Sequence, residues 1–194
     1  MNRPLDIAIA GAGLVVSSPL LGLAALAIKL EDGGPVLYRQ ARVGRGGGEF
    51  ELLKLRTMIV GAEQQGAGYA VNRGDVRITR VGRVLRRLSL DELPQLWNVV
   101  RGDMSIVGPR PTLRYQVERY DERQRRRLEV KPGITGWAQI HGRARLPWAE
   151  RIELDVWYVD HRSPKTDLLI LLRTPLALFG GTYKGETGGW RPPA

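Results

Sequence analysis

The chain has no cysteine and only two histidines, His141 and His161, among 194 residues. The first absence excludes disulfides, thiolate nucleophiles, iron–sulfur clusters and cysteine-ligated zinc. The second leaves too few imidazoles for a multi-histidine centre, so any metal here is a hard cation held by oxygens. Negative charge is scarce too. Only 20 acidic residues face 30 lysines and arginines, for a net charge of +10. That surplus implies a polyanionic partner, whether nucleic acid, anionic lipid or phosphorylated substrate, and composition does not choose among them. No helix-turn-helix, zinc-finger or single-strand-binding signature is present, and no internal repeat. What remains is an ordinary folding balance, 43% hydrophobic and 26% charged, in a length that suits one compact domain.

Charge is missing altogether from Ile7 to Ile28. Such a run is long enough to cross a bilayer core, which takes roughly 20 apolar residues in a helix. Three readings compete: a transmembrane helix, a cleaved signal peptide ending near Ala25-Leu26-Ala27, and a helix that enters the membrane and returns on the same side. Ser17-Ser18-Pro19 interrupts the run. Proline removes one backbone hydrogen bond and kinks or breaks the helix, and a neighbouring serine hydroxyl can satisfy the freed carbonyl. In the re-entrant reading, Arg3 and Asp6 share an interface with Lys29, Glu31 and Asp32. Asp6 and the central proline weigh against a signal peptide, while simple spanning is the commoner alternative. Lys29, Arg39, Arg42 and Arg45 follow the run and place the body on the cytoplasmic side.

Beyond residue 32 the patterns are those of a small mixed domain. Val36 to Tyr38 and Phe50 to Met58 predict strands around a glycine loop, Gly44 to Gly48, that lacks the context of a phosphate-binding P-loop. Val84 to Val100 predicts a helix interrupted at Pro94. Arg114 to Leu128 predicts a charged surface helix, and Trp148 to Val159 an amphipathic one. Leu168 to Phe179 is too short to span and suits a helix lying flat at an interface. The Gly/Pro-rich end after Gly180 predicts a tail.

The chemistry concentrates in Arg86-Arg87-Leu88-Ser89-Leu90-Asp91-Glu92-Leu93-Pro94-Gln95. Ser89 and Glu92 have the spacing of a helix capping box, but Pro94 then falls where its missing N–H matters. The functional reading gives the two carboxylates separate roles. One attacks a phosphoryl group and forms an acyl-phosphate. Its neighbour holds Mg²⁺, which offsets repulsion between anions. Arginines serve as forked phosphate clamps. More of them sit in rigid loops: Arg110 between Pro109 and Pro111, and Arg143 after Lys131-Pro132-Gly133-Ile134-Thr135-Gly136-Trp137 and His141-Gly142.

Together these segments resemble the monotopic polyprenyl-phosphate phosphoglycosyl transferases, the bacterial sugar transferase family, from about Leu5 to about Thr182. The marks are Ser18-Pro19, Lys54 to Met58, Arg77 to Gly82, Leu88 to Gln95, Gly102 to Pro111 and Lys131 to Gly136. The resemblance implies an α/β fold. A re-entrant membrane helix over residues 1–32, broken at Ser18-Pro19, precedes a catalytic domain over 33–182 with interfacial amphipathic helices, and a tail over 183–194. It implies transfer of a sugar-1-phosphate from a UDP-sugar to polyprenyl (undecaprenyl) phosphate, with release of UMP. Asp91 is then the nucleophile and Glu92 the Mg²⁺ ligand. Arg86, Arg110 and Arg143 fall at phosphate-binding positions, and Lys54, Arg56 and Asp155 match motif positions of less definite role. Further expectations are the bacterial inner membrane with the catalytic domain on its cytoplasmic face, attraction to anionic lipids, no nucleic-acid partner and room for a homodimer. Val76 departs from a position that is often proline, and no further membrane helix precedes Asp6, as in a minimal catalytic form. The alternative from charge alone is a nucleic-acid-binding protein with a membrane anchor. The sugar is not legible.

Overall fold

The computed structural model describes residues 2–65, 68, 71, 74–142 and 146–179. Its first element is a single helix, α1 (Arg3–Asp32). Pro4 sits in the first turn, where no amide hydrogen is required, and Gly33 closes the helix in the left-handed conformation (φ 71°) with its N–H on the Lys29 carbonyl. At 30 residues α1 is about 45 Å long. It is the one helix among the described residues long and apolar enough to cross a membrane.

The sequence suggests a break at Ser18-Pro19, yet α1 runs through Pro19 without a change of secondary structure. Proline leaves the Val15 carbonyl without its usual amide, and Ser18 Oγ donates to that carbonyl at 2.8 Å. The hydroxyl thus replaces the lost bond, the role expected of a serine at this place.

The body is mixed α/β. Strands β1 (Leu37–Val43) and β2 (Glu49–Leu55) pair antiparallel from Leu37 opposite Leu55 to Val43 opposite Glu49. The glycine loop is their hairpin turn, with Gly46 and Gly47 at positive φ and Gly44 N–H on the Gly48 carbonyl. Next come α2 (Arg80–Arg87), α3 (Gln95–Arg101) and β3 (Ser105–Val107). The stretch expected as one charged helix is instead α4 (Arg114–Val117), α5 (Glu122–Arg125) and a 3₁₀ turn at Arg126–Glu129. Asp121 starts α5 by accepting from the Gln124 amide, which restarts the chain direction. Strand β4 (Gly133–Thr135) pairs parallel with β3, and α6 (Trp137–Ile140), α7 (Trp148–Asp160) and α8 (Pro164–Phe179) complete the domain.

Three packing clusters hold these elements. Ala10 of α1 joins Leu52, Val99, Met104, Ile106, Tyr158 and Ile170 in the largest. Val43, Val117, Tyr120, Ile152 and Val156 form a second. Ala24 and Ile28 of α1 pack with Leu55 and Leu85 in the third. Both halves of α1 therefore touch the body, and polar contacts secure both ends. Arg3 donates to the carbonyls of Val99 and Val100 in the last turn of α3, while buried Asp6 accepts from Ser105 Oγ and the Ile106 amide. At the other end Glu31 accepts from the Arg80 and Val81 amides that open α2, and Asp32 pairs with Arg56. A cation thus meets a helix C-terminus and an anion meets a helix N-terminus, each favoured by the helix dipole. Between those ends Val15 and Val16 are 74% and 81% exposed. A second apolar row, Leu168, Leu172 and Leu176, lies exposed along α8 at the spacing of one helix face.

Candidate active site

Asp91 lies in a short 3₁₀ turn (Leu90–Glu92) between α2 and α3. The turn follows Ser89, the one described non-glycine residue at positive φ (56°). Ser89 makes no side-chain capping bond, so the capping-box reading of Ser89 and Glu92 does not hold. Pro94 precedes α3 in place of an interior helix residue. A strained residue just before the acidic pair is a feature that clusters at functional sites.

Around this turn the motifs converge. Gly82 lets α2 lie on Thr57, since a Cβ there would stand 2.1 Å from the Thr57 carbonyl oxygen. That approach brings Arg86 Nε to Thr57 Oγ1 at 2.7 Å. Strand β2 carries Lys54, whose Nζ is 3.2 Å from Glu92 Oε1. The loop after β3 carries Arg110, whose Nη2 is 2.6 Å from the same oxygen. That loop is stiff for a reason visible in its glycines. Gly108 and Gly133 pass so closely that a Cβ on Gly133 would meet the Gly108 nitrogen at 2.1 Å. Gly108 N–H bonds to the Thr135 carbonyl and Gly133 N–H to the Pro109 carbonyl.

These groups line a cleft of about 780 Å³, within the size range of small-ligand sites. Lys54, Arg56, Arg86, Asp91, Glu92, Arg110 and Asp155, all singled out from sequence, lie along it. Their roles differ in detail. Arg56 turns to the end of α1 and pairs with Asp32. Asp155, on α7, is buried and pairs with Arg127. Arg143 lies outside the described residues.

Electrostatics separate the two adjacent carboxyls. Asp91 is 8% exposed and makes no hydrogen bond among the described residues. Burial pushes its carboxyl above the usual value, Lys54 pulls it down, and Glu92 pushes it up again. Burial also acts on Glu92, but the charges and hydrogen bonds of Arg110 and Lys54 outweigh it and hold Glu92 well below the carboxylate range. Lys54 is lowered, first by burial and against the pull of Glu92. Asp155 is pushed up to about 6 by burial, with Arg127 opposing. One carboxylate is therefore firmly ionised and engaged, while its neighbour is unengaged and faces the cleft.

Sequence reasoning missed Arg127. It sits in the charge run 123–127, which reads as solvated surface, yet it is buried. It donates to Tyr120 Oη, to Asp155 and to the Arg110 carbonyl, the last at 3.0 Å. Asn98 was missed as well. Fully buried, it receives the Leu53 amide and donates to the Glu51 carbonyl, fixing α3 against β2. Nothing in an isolated Asn within Trp97-Asn98-Val99 signals that role.

Comparison with known proteins shows the family. A family model described as bacterial sugar transferase matches residues 1–181. The UDP-glucose:undecaprenyl-phosphate glucose-1-phosphate transferase of Caulobacter vibrioides is 48% identical over 186 residues, covering 92% of this chain and 69% of that one. The uncharacterized sugar transferase EpsL of Bacillus subtilis is 45% identical over 174 residues, 90% of this chain and 85% of that one. A UDP-N-acetylgalactosamine-undecaprenyl-phosphate N-acetylgalactosaminephosphotransferase of Aeromonas hydrophila is 42% identical over 187 residues, and the match spans 93% of this chain but 44% of that longer protein. With a family match over nearly its whole length around one charged cleft, the chain belongs to the bacterial sugar transferase family.

Proposed function

We propose that the protein transfers a sugar-1-phosphate from a UDP-sugar to undecaprenyl phosphate, with Asp91 carrying the phospho-sugar between two half-reactions. One observation carries the reading: Asp91 is buried in a cleft beside Lys54, Arg86 and Arg110, yet has no hydrogen-bond partner among the described residues. A carboxylate placed among three cations at a cleft is available to a ligand. The names of the Caulobacter and Aeromonas relatives support the classes of donor and acceptor.

In the first step an Asp91 carboxylate oxygen attacks the phosphorus bonded to the sugar. The bond from that phosphorus to the bridging oxygen breaks, and UMP leaves with the electron pair. In the second step a phosphate oxygen of the lipid attacks the same phosphorus and Asp91 departs as a carboxylate. Each step exchanges one P–O bond for another, without redox. Lys54, Arg86 and Arg110 offset the charge of an anion approaching an anion.

Mg²⁺ fits the donor set. Asp91 and Glu92 are adjacent oxygen donors, although Glu92 Oε1 is engaged by Lys54 and Arg110. Such a set suits an ion that keeps several waters and shares substrate phosphates. Glu92 would hold it, and when bound it supplies positive charge to phosphate oxygens.

The apolar surfaces support a seat in a membrane, and Lys29, Arg39, Arg42 and Arg45 after the apolar run favour its cytoplasmic face. A spanning helix separates its ends by about 30 Å of hydrocarbon. Here Arg3 and Asp6 at one end, and Glu31 and Asp32 at the other, bind polar groups of the same body. That favours a helix held on one side of the membrane with its Val15–Val16 face against lipid, and α8 lying on the surface through Leu168, Leu172 and Leu176. The net charge of +10 would add attraction to anionic lipids. The nucleic-acid alternative rests on charge alone, and surface arginines such as Arg123 and Arg126 are paired with Glu153 and Asp160.

The test is isotope exchange. Labelled UMP passes into UDP-sugar without lipid acceptor if the phospho-sugar rests on the enzyme. A requirement for both substrates before any UMP forms contradicts the covalent step.

A further inference from the structure

The cleft has two parts, and charged groups line both. Lys54, Arg86 and Arg110 surround Asp91, whereas Ile134, Ala138, Gln139, Arg151 and Asp155 line the part built by β4, α6 and α7, with Arg127 beside Asp155. Gln139 is 7% exposed, yet neither its Nε2 nor its Oε1 has a hydrogen-bond partner among the described residues. Asp155, 2% exposed, accepts from Arg127 at Oδ2 and leaves Oδ1 without a partner among the described residues. Buried polar atoms are nearly always satisfied, because leaving one unmade is unfavourable. Two such side chains on packed helices, lining one cleft, are groups that a ligand completes.

We infer that Gln139 and Asp155 form the nucleoside pocket of the donor, Gln139 reading the edge of the uracil and Asp155 Oδ1 accepting from a ribose hydroxyl. This rests on the donor class proposed above. The chemistry is complementary. A primary amide presents one donor and one acceptor side by side, and the imide edge of uracil presents N3–H beside a carbonyl. The Asp155 charge is matched by Arg127, while Lys54, Arg86 and Arg110 beside Asp91 suit the diphosphate. Asp155 also connects the two ends, because Arg127 holds the Arg110 carbonyl at 3.0 Å.

The test replaces Gln139 by Met in the full-length protein and measures UMP affinity by calorimetry, initial rates with UDP-sugar, and thermal melting. A structural glutamine would lose stability on this change. An unsatisfied one would not, since the apolar side chain removes two unpaired groups. Gln139→Met is expected to melt no lower than wild type, to weaken UMP binding and raise KM for UDP-sugar about tenfold or more, and to leave kcat within about twofold. The wild type should discriminate against an N3-methyluridine donor, and the variant should not. Retained UMP affinity in Gln139→Met, or a change in selection among sugars with UMP affinity intact, overturns the pocket while the donor reading stands. A wild-type enzyme that neither binds UMP nor releases it from any UDP-sugar overturns both.

Discussion

The middle of α1 and the turn around Asp91 break the usual rule of burial in opposite directions. At the first, Val15 and Val16 are 74% and 81% exposed; at the second, Asp91 is 8% exposed. Apolar groups in water and a carboxyl out of it are each unfavourable. Each makes sense with what the proposal brings to it: lipid around α1 and phosphates in the cleft. The two regions are joined by short links. Asp32 ends α1 and pairs with Arg56 on the cleft, and Glu31 holds the start of α2, which carries Arg86 at its other end. A membrane anchor and a phosphate site are thus built on shared residues.

The largest expected effect comes from removing the nucleophile. Asp91→Asn should lower UMP release on the order of 10⁴-fold or more while leaving circular dichroism and membrane recovery unchanged. Near-normal turnover would separate the acidic turn from the chemistry. Next in size is Arg110→Ala, which removes a cation from the reacting phosphates and frees Glu92 Oε1 from one partner. A fall in kcat of about 10²–10³-fold is expected in steady-state assays, and a change confined to KM would make Arg110 a binding group only.

The apolar side of the comparison is sharpened by a charge at its most exposed point. Val16→Asp should weaken membrane partitioning about 100-fold, from the roughly 2.5–3.5 kcal/mol opposing a carboxylate in the hydrocarbon core, read as the soluble fraction after flotation. No change in partitioning would mean that α1 is covered by protein.

The smallest effect is on pH dependence. Asp91 attacks only when ionised, and its carboxyl is raised, so the rate should fall about tenfold per pH unit below a limb that lies above the ordinary carboxylate value. Lys54 pulls Asp91 downward. Lys54→Met should therefore shift that limb to higher pH, and a shift to lower pH would contradict the assigned coupling.

Much of this was legible in the sequence, for particular reasons. The charge-free run from Ile7 to Ile28 gave α1, and period and spacing gave α7 and two strands around a glycine loop, though not their pairing. Arg86, Asp91, Glu92 and Arg110 were found because acids and cations recur there among glycines and prolines that fix backbone direction. What stayed hidden depends on packing between distant segments. Arg127 looks like any arginine in a surface run until Tyr120 and Asp155 close around it. Arg3 and Asp6 read as interfacial charges, but they bind α3 and β3, about a hundred residues on. Gln139 carries no sequence mark, because an unsatisfied amide is a property of its surroundings. The expected helix over Arg114 to Leu128 failed because a regular charge pattern does not reveal the restart at Asp121.

The central claim is that a carboxylate at one position becomes bonded to phosphorus. Incubating the enzyme with UDP-sugar and Mg²⁺ but no lipid, quenching in acid and sequencing by mass spectrometry addresses it directly. A sugar-phosphate adduct on Asp91, lost when undecaprenyl phosphate is added, is the predicted result. UMP release without any adduct, or an adduct on another residue, would contradict it.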